Sequence, residues 1–233
     1  FLEKLHPDDL PLLIDALNNI EENKYTYLEY RFLTKAGEIK WVRSSTKAII
    51  DNGILIGVRG SLIDIHETKI AQILVSKNEK KLQFKTRLQE LLVDISNEYI
   101  NLPLNQLDFK INNSLGDLGQ FIGADRFYIF DYDFENKICS NTYEWCAEGI
   151  EAQIGELQNV PFEYFPEWLN AHCKGETLCI EDVLALDPED NLRIILEPQG
   201  IKSLVTVPIM DAGKCLGFTG FDAVKDYHIY SSD

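Results

Sequence analysis

The sequence has no apolar run long enough to cross a membrane and no surplus of basic residues. A membrane-spanning helix needs about 20 consecutive apolar residues, whereas the longest apolar segments here, such as "SLVTVPIM" at 203–210, have the length of strands. The chain carries 22 Lys and Arg against 38 Asp and Glu, a net charge of −16. Because this charge repels phosphate backbones and anionic lipids, we expect neither nucleic acid nor a membrane as a partner of this fragment.

The sequence also lacks an initiator methionine and anything that resembles a signal peptide. We therefore expect a piece of a longer cytoplasmic protein, or of the cytosolic part of a membrane-anchored one. Its 233 residues exceed the usual single domain of about 100–150 residues, which favours two domains. The 45% content of hydrophobic residues is enough for packed cores and argues against disorder.

No cysteine pair has the CxxC spacing, and no Cys/His spacing typical of a zinc site occurs. The number of cysteines is odd, which fits a reducing cytosol where cysteine packs as a small hydrophobe. They lie at positions 139, 146, 173, 179 and 215. The four histidines are scattered and form no catalytic constellation with Ser, Cys or Asp. We expect neither catalysis nor a metal, and the pattern assigns no cofactor.

The first part of the chain has the pattern of one helix followed by an antiparallel three-stranded meander. "HPDDLPLLIDAL" opens with helix-start residues, and an apolar stripe then follows at helical spacing. The stripe consists of Leu10, Leu13, Ile14 and Leu17. Three alternating segments come next, separated by turns at Gly37 and at Asn52-Gly53, which favour hairpins.

This part resembles the second half of a PAS domain of the PAS_3 type. The resemblance rests on "HPDD", "EYRFLTKAGEIKWVRSS" and "GSLIDIHETK", which match the family pattern in order and spacing across residues 1–69. It implies the C-terminal part of a PAS domain without the first two strands and early helices. Since those elements supply much of a PAS ligand cleft, we do not expect this part to hold a ligand by itself.

The strand that ends in "LIDI" runs into a helix without a loop. Asp64 is a good N-cap residue and Glu67 follows three residues later, as in a capping box; with Lys69 they form the predicted signalling junction. No Gly or Pro occurs from 70 to 100, which predicts a linker helix of roughly 30 residues and about 45 Å.

The linker helix carries apolar residues at alternating a- and d-like positions, with Lys77 and Lys81 in two of the slots. The apolar positions are Leu74, Phe84, Leu88, Leu91 and Ile95. We expect this seam to form a parallel coiled-coil homodimer, because the apolar stripe would otherwise face water. The alternative is a charged, solvated linker helix in a monomer.

Residues 101–233 have the pattern of an antiparallel α/β sandwich. A helix with apolar residues at helical spacing ends at Gly123, and strands and short helices then interleave. From residue 90 onward the order of elements, with "EYFPEWLNAHCKGETLCIEDVLAL" and "GIKSLVTVPIMDAGKCLGFTGFDAV", resembles a GAF domain. Such domains occur beside PAS domains in bacterial histidine kinases and diguanylate cyclases. Neither a kinase nor a cyclase signature is present in this sequence.

The resemblance implies a pocket between the sheet and the connecting segment of about 143–180, which is rich in aromatic residues. The candidate pocket residues are Tyr128, Trp145, Phe162, Phe165, Trp168 and Cys179. An unidentified small molecule could stack on these rings, although each ring also suits a hydrophobic core. The order His172-Cys173 reverses the Cys-His attachment motif of bilin-binding GAF domains, so we expect no covalent bilin.

Three functions are open at this point. The first is a non-catalytic sensory and dimerisation module of a histidine kinase, or alternatively of a diguanylate cyclase or phosphodiesterase. The second is a redox device like the GAF methionine sulfoxide reductases, which requires Cys139, Cys146 and Cys179 to come together. The third is a structural dimerisation spacer without a ligand.

Overall fold

The computed structural model describes residues 4–20, 24–52 and 54–227. The chain divides into two compact units, Phe1–Lys85 and Thr86–Asp233. Each unit contains one antiparallel sheet and helices, so the predicted mixture of helix and antiparallel sheet is confirmed. Among the described helices, none combines the length and apolarity that a membrane span requires.

The first unit consists of a short helix and a three-stranded meander, as the alternating segments predict. Its elements are α1 (Leu10–Asn18), β1 (Tyr25–Leu33), β2 (Ile39–Asp51) and β3 (Ile54–Asp64). The strands pair in the order β1-β2-β3, all antiparallel. The turn at Gly37 has the positive φ of 83° that favours glycine. In the second turn Asn52 has φ 48°, whereas the predicted Gly53 lies outside the described residues.

The core of the first unit is small. Leu5, Leu13 and Tyr30 are its buried members in the described part of the chain. Of the predicted stripe on α1 only Leu13 is buried, and Leu10 and Ile14 are exposed because the sheet offers this helix a narrow contact. Strand β3 is exposed along almost its whole length. A sheet with so little cover gains little from the burial of apolar surface.

Helix α2 (His66–Tyr99) follows β3 after one residue. It is a single uninterrupted helix of 34 residues, as the absence of Gly and Pro predicts. No side chain of this helix is fully buried. The boundary between the two units falls within it, between Lys85 and Thr86.

The second unit is a six-stranded antiparallel sheet with helices on both faces. Its elements are α3 (Leu107–Ile122), β4 (Arg126–Asp133), β5 (Ile138–Cys146), β6 (Val160–Pro161), α4 (Pro166–Cys173), β7 (Leu178–Ile180), α5 (Asn191–Leu196), β8 (Ser203–Asp211) and β9 (Lys214–Ala223). The strand order is β6-β5-β4-β9-β8-β7. Helix α3 ends at Gly123 in the left-handed conformation, φ 71°, as predicted.

Helix α3 lies on one face of this sheet against the indole of Trp145. Two of its buried glycines make this contact possible. A Cβ at Gly119 would lie 2.4 Å from the Trp145 ring, and one at Gly116 would lie 3.0 Å from it. Gly116 and Gly119 of "GDLGQFIG" therefore serve the packing of a tryptophan on a helix. The opposite face of the sheet is covered by α4 and α5 and holds the main core.

Candidate functional site

A cavity lies between the covered face of the second unit's sheet and the segments that carry α4 and α5. It offers about 70 Å³ to water-sized molecules, within about 640 Å³ of unfilled space that includes its open mouth. By the first measure one water needs about 10–15 Å³, so the cavity has room for roughly five waters. The sheet contributes aromatic residues at every second position, since alternate strand residues face the same side.

The apolar wall of the cavity is built largely of aromatic rings. Phe130 and Phe218 stack with their centroids 4.8 Å apart, and Tyr128 meets both rings edge-on. Trp168 of α4 lies 5.6 Å from Phe218, and Phe165 lines the same wall. These rings pack on one another in stacked, edge-on and tilted contacts and present a largely aromatic wall to the cavity.

The other end of the cavity is charged. Arg126 is the first residue of β4 and Asp222 the second-last residue of β9, and they are 1% and 0% exposed. The Arg126 Nε donates to Asp222 Oδ1 at 3.1 Å, and a terminal nitrogen of Arg126 faces the Gln199 carbonyl at 3.4 Å. Burial raises the pKa of Asp222 to about 6 against the opposing pull of Arg126. The Asp222 carboxyl therefore releases its proton at a higher pH than an ordinary aspartate.

A β-bulge in β5 decides which residues of that strand reach the cavity. The register of β4 and β5 shifts between Ile129 and Phe130, so that Thr142 has no partner opposite it. Such an insertion moves every later side chain to the other face of the sheet. Beyond the bulge, Glu144 faces the cavity and Trp145 faces α3.

Polar contacts hold this bulge in place. In the amide orientation that pairs its donor with acceptors, the Asn141 side-chain nitrogen donates to the carbonyls of Tyr143 and Ile129 at 2.9 and 3.2 Å. Glu144 accepts hydrogen bonds from the backbone amides of Gln153 and Ile154 at 2.8 and 2.9 Å. The carboxylate therefore ties the loop before β6 to the rim of the cavity.

Two buried polar atoms of cavity-lining residues have no hydrogen-bond partner among residues 4–20, 24–52 and 54–227. They are Nε1 of Trp168, a donor, and Oδ2 of Asp222, an acceptor. An unsatisfied buried group costs about 1–3 kcal/mol. Both residues line the cavity, whereas the two atoms themselves have less than 1 Å² of accessible surface each.

Next to the cavity, a buried polar chain crosses the core. His172 is 0% exposed, its Nδ1 lies 2.8 Å from the Tyr132 hydroxyl, and its Nε2 lies 3.0 Å from Thr206 Oγ1. Burial lowers the pKa of His172 to about 4. The imidazole is thus neutral and structural, whereas Cys173 beside it is exposed.

The structure brings together three of the six predicted pocket residues. Tyr128, Phe165 and Trp168 line the cavity. Phe162 packs against the same core but outside the lining, in edge-on contact with Phe165. Two further predicted residues, Trp145 and Cys179, lie elsewhere in the unit. Trp145 is turned away by the bulge, and Cys179 is exposed on the edge strand β7.

Sequence reasoning missed the charged end of the cavity. Arg126 and Asp222 are 96 positions apart, and neither belongs to a local motif. The available signal was weak. Charged residues are rarely buried without a partner, but β4 also carries Asp131 and Asp133 and β9 also carries Lys214, so charge alone does not single out Arg126 and Asp222. Glu144 was missed because its neighbour Trp145 carries the stronger aromatic signal.

The cysteines required for the redox hypothesis do not come together. Cys139 and Cys146 lie on one strand seven positions apart, about 23 Å by the usual rise. Cys179 lies on β7, with three strands between it and β5. Burial raises the pKa of Cys139 to about 12 and that of Cys146 to about 11. The three-cysteine redox device is therefore wrong for this fold, since disulfides need Cα atoms within about 7 Å.

The junction of the first unit is held by hydrogen bonds and charge. Asp64 Oδ1 accepts from the His66 amide at 2.9 Å, so it caps the helix that begins at His66. The predicted capping box with Glu67 does not form in the expected register, because Glu67 is the second helical residue rather than the third. Lys69 instead pairs with Glu29 of β1 at 2.5 Å and lies over the Trp41 ring at 5.1 Å.

The predicted seam residues divide into two groups. Leu74 and Phe84 are 56% and 50% exposed in the first unit. Leu88, Leu91 and Ile95 are half-buried, on the part of α2 that belongs to the second unit. There the end of α2 also contacts α3, where a hydrogen bond of 3.1 Å joins the Tyr99 and Ser114 hydroxyls.

Comparison with known proteins identifies both regions. The family model of the GAF domain matches residues 111–230, more than half of the chain, and the model of the PAS fold (PAS_3) matches residues 1–62. Both resemblances drawn from the sequence are therefore confirmed.

One curated relative and two solved structures illustrate the likeness. The methanogenesis regulatory histidine kinase FilI of Methanothrix harundinacea (strain 6Ac) is 30% identical over 180 residues, which are 74% of this chain and 19% of that protein. The chain therefore spans about a fifth of this relative's length.

The far-red absorbing dark state of JSC1_58120g3 with bound biliverdin IXα has a TM-score of 0.50 at 14% identity, covering 60% of this chain and 86% of that one. The blue-light absorbing form of the Thermosynechococcus elongatus PixJ GAF domain has a TM-score of 0.47 at 15% identity, covering 56% and 79%. At 14% identity, the likeness to JSC1_58120g3 bears on the fold alone.

Proposed function

Since the chain belongs to the GAF domain family and carries a PAS-fold segment before it, we propose that it is the sensory and dimerisation region of a signal-transduction protein. The output domain lies outside this sequence and is of the histidine kinase class. The region itself acts without catalysis and without a membrane contact, in the cytoplasm. The cavity of the second unit receives a small molecule, and α2 carries the resulting change.

The single observation that carries this proposal is the cavity with its aromatic wall. A core that only stabilised the fold would fill this space, because empty space costs stability. The space beside Trp168 and Phe218 stays unfilled. A molecule bound there would favour one arrangement of the unit over another, which is the requirement for a sensor.

The relay is proposed to be a parallel dimer of α2. All residues from 70 to 87 of this helix are exposed, including the apolar residues Leu74 and Phe84. Their burial in a second copy would remove this apolar surface from water. Lys77 and Lys81, which are also exposed, lie in the seam and weaken it.

The sensory half of the proposal is tested by denaturing the purified chain and identifying released compounds by liquid chromatography and mass spectrometry. We expect about one small molecule for each chain. The control is Val160→Trp, which places a large ring in the lining of the cavity. Equal release from both proteins, or none from either, contradicts the proposal.

The dimer is tested by light scattering of the chain over a range of concentrations. The double variant Lys77→Leu/Lys81→Leu should shift the equilibrium toward the dimer, because it completes the apolar seam. The control Lys80→Leu, at an exposed position outside the seam, should not. A monomer for all three proteins would contradict the relay, and an equal shift in the control would indicate unspecific association.

A further inference from the structure

The negative charge of the chain is unevenly distributed. Residues 1–85 carry 13 Lys and Arg against 12 Asp and Glu, whereas residues 86–233 carry 9 against 26. Four cations of the first group lie close together on α2, at Lys77, Lys80, Lys81 and Lys85. This cationic segment (77–85) contains one carboxylate, that of Glu79. Its net charge is therefore +3 in a chain whose total is −16.

The four lysines share one face of α2 and have no carboxylate beside them. At about 100° per residue they occupy an arc of about 140°, and Glu79 lies outside this arc. All four are exposed, and none enters an ion pair within the part of the chain that the structure describes. By contrast, Lys69 at the start of the same helix pairs with Glu29. Lys77 and Lys81 even lie four residues apart, where like charges on a helix repel.

In the proposed parallel dimer of α2, the lysines of the two copies converge on the seam. Lys77 and Lys81 occupy a d-like and an a-like position. Lys80 comes directly before the a-like position, and Lys85 directly after the d-like position of Phe84. In a parallel coiled coil these two flanking positions of one helix meet those of the partner helix. Lys80 of one copy therefore lies beside Lys85 of the other, once on each side of the seam.

Building on the proposed dimer, we infer that each side of this seam binds a multivalent oxyanion of the class of diphosphates and triphosphates. Long lysine side chains extend from a buried stem to water, so Lys77 and Lys81 supply further ammonium groups at the same flanks. A monovalent anion meets one ammonium group at a time, whereas an anion with three or more charges meets several at once. Neither site is complete in one chain, because each takes lysines from both copies.

The anion would regulate the relay through the dimer. The repulsion between one pair of exposed lysines is small, because water and salt screen it. A single substitution such as Lys80→Leu therefore changes the dimer little. An anion that contacts lysines of both copies binds the dimer more tightly than the separate chains, and it stabilises the dimer by mass action. The paired form of α2 would then depend on the concentration of the anion.

Sedimentation equilibrium of the full chain tests the inference. The probe is tripolyphosphate, compared with sodium sulfate and sodium chloride at the same ionic strength and without divalent cations, which would bind the probe. The variant Lys80→Gln/Lys85→Gln removes the flanking cations and leaves the seam unchanged. The matched control Lys174→Gln/Lys214→Gln removes two exposed cations outside α2. A further arm replaces the probe with a nucleoside triphosphate.

We expect tripolyphosphate to tighten the dimer of the parent chain and of the matched control by about tenfold or more. The dimer of Lys80→Gln/Lys85→Gln should tighten by less than about twofold. Sulfate should act more weakly than tripolyphosphate, because it carries fewer charges. A larger effect of the nucleoside triphosphate would assign the site to nucleotides, and an equal or smaller effect would assign it to inorganic phosphates.

Equal tightening of the Lys80→Gln/Lys85→Gln dimer, or an equal effect of sulfate, overturns the inference. A parent dimer that does not respond to tripolyphosphate overturns it as well and leaves the proposed relay intact. A parent chain that stays monomeric with and without the probe contradicts the proposed dimer and, with it, the inference. The release of a small molecule from the cavity is decided separately in each case.

Discussion

The buried His172 and Asp222 make the stability of the second unit depend on pH in opposite directions. The pKa of His172 is lowered from 6.5 to about 4. Between these pH values the unfolded chain therefore binds a proton at His172 and the folded chain does not. Stability from this group is complete above pH 6.5 and is lost as the pH falls toward 4. At about 1.4 kcal/mol for each pH unit, the loss is about 3 kcal/mol.

Asp222 has the opposite sign. Its pKa is raised from 3.8 to about 6, so between these values the folded chain binds a proton that the unfolded chain has released. Acidification through pH 6 therefore stabilises the fold, again by about 3 kcal/mol. In the parent chain the pH-dependent changes in stability due to His172 and Asp222 nearly cancel between pH 4 and 6. When one of the two groups is removed, the pH dependence due to the other should become measurable.

The perturbations are His172→Gln and Asp222→Asn in a Trp41→Phe background, so that fluorescence comes from the second unit alone. Urea unfolding is measured from pH 7.5 to 4.5. Relative to the parent, the destabilisation by His172→Gln should shrink by about 2–3 kcal/mol on acidification. The destabilisation by Asp222→Asn should instead grow by a similar amount on acidification. Destabilisations that are independent of pH for both variants would refute the reasoning.

Three further predictions concern other parts of the chain. Gly119→Ala should destabilise the second unit by about 1–3 kcal/mol although alanine has the better helix propensity, because its Cβ would lie 2.4 Å from the indole of Trp145. Gly116→Ala should destabilise it less, since its Cβ would lie 3.0 Å from the same ring. Chemical denaturation measures both, and a stabilised Gly119→Ala would contradict the prediction. Asp64→Ala should speed hydrogen exchange at the first helical amides of α2, because their cap is lost; unchanged exchange would show that the cap is dispensable. Ellman's reagent should react rapidly with the exposed Cys173 and Cys179, more slowly with the half-buried Cys146, and with the buried Cys139 and Cys215 only after unfolding. Rapid reaction of four or five thiols in the folded chain would argue against the observed burial.

Local patterns were sufficient for most of the secondary structure. Gly123 ends α3 because a left-handed residue is needed there, and the chain offers a glycine at that position. The hairpin of β8 and β9 follows from two alternating segments around Ala212-Gly213, both of which have positive φ. The meander of the first unit follows from the same kind of signal.

The site could be predicted only in part, because its decisive features are not local. Alternation along β5 places Trp145 on the cavity side if the strand is regular, and one inserted residue near Thr142 reverses this. The partners of His172 come from two other elements, 40 and 34 positions away. The pairing of Arg126 with Asp222 depends on β4 lying next to β9, which periodicity does not reveal.

The spatial arrangement of the cysteines also could not be predicted from local sequence. Their spacing along the chain left open a meeting of Cys139, Cys146 and Cys179. The order of strands in the sheet, rather than any property of the residues, separates β5 from β7.

Native mass spectrometry of the purified chain beside Val160→Trp tests the central claim most directly. The account predicts a parent complex of twice 26.7 kDa that carries additional small-molecule mass in its native but not its denatured state. The Val160→Trp complex should remain a dimer and lose the additional mass, because the larger side chain occupies the cavity and the sequence of α2 is unchanged. A bare monomer of the parent chain, or additional mass that Val160→Trp retains, would contradict it.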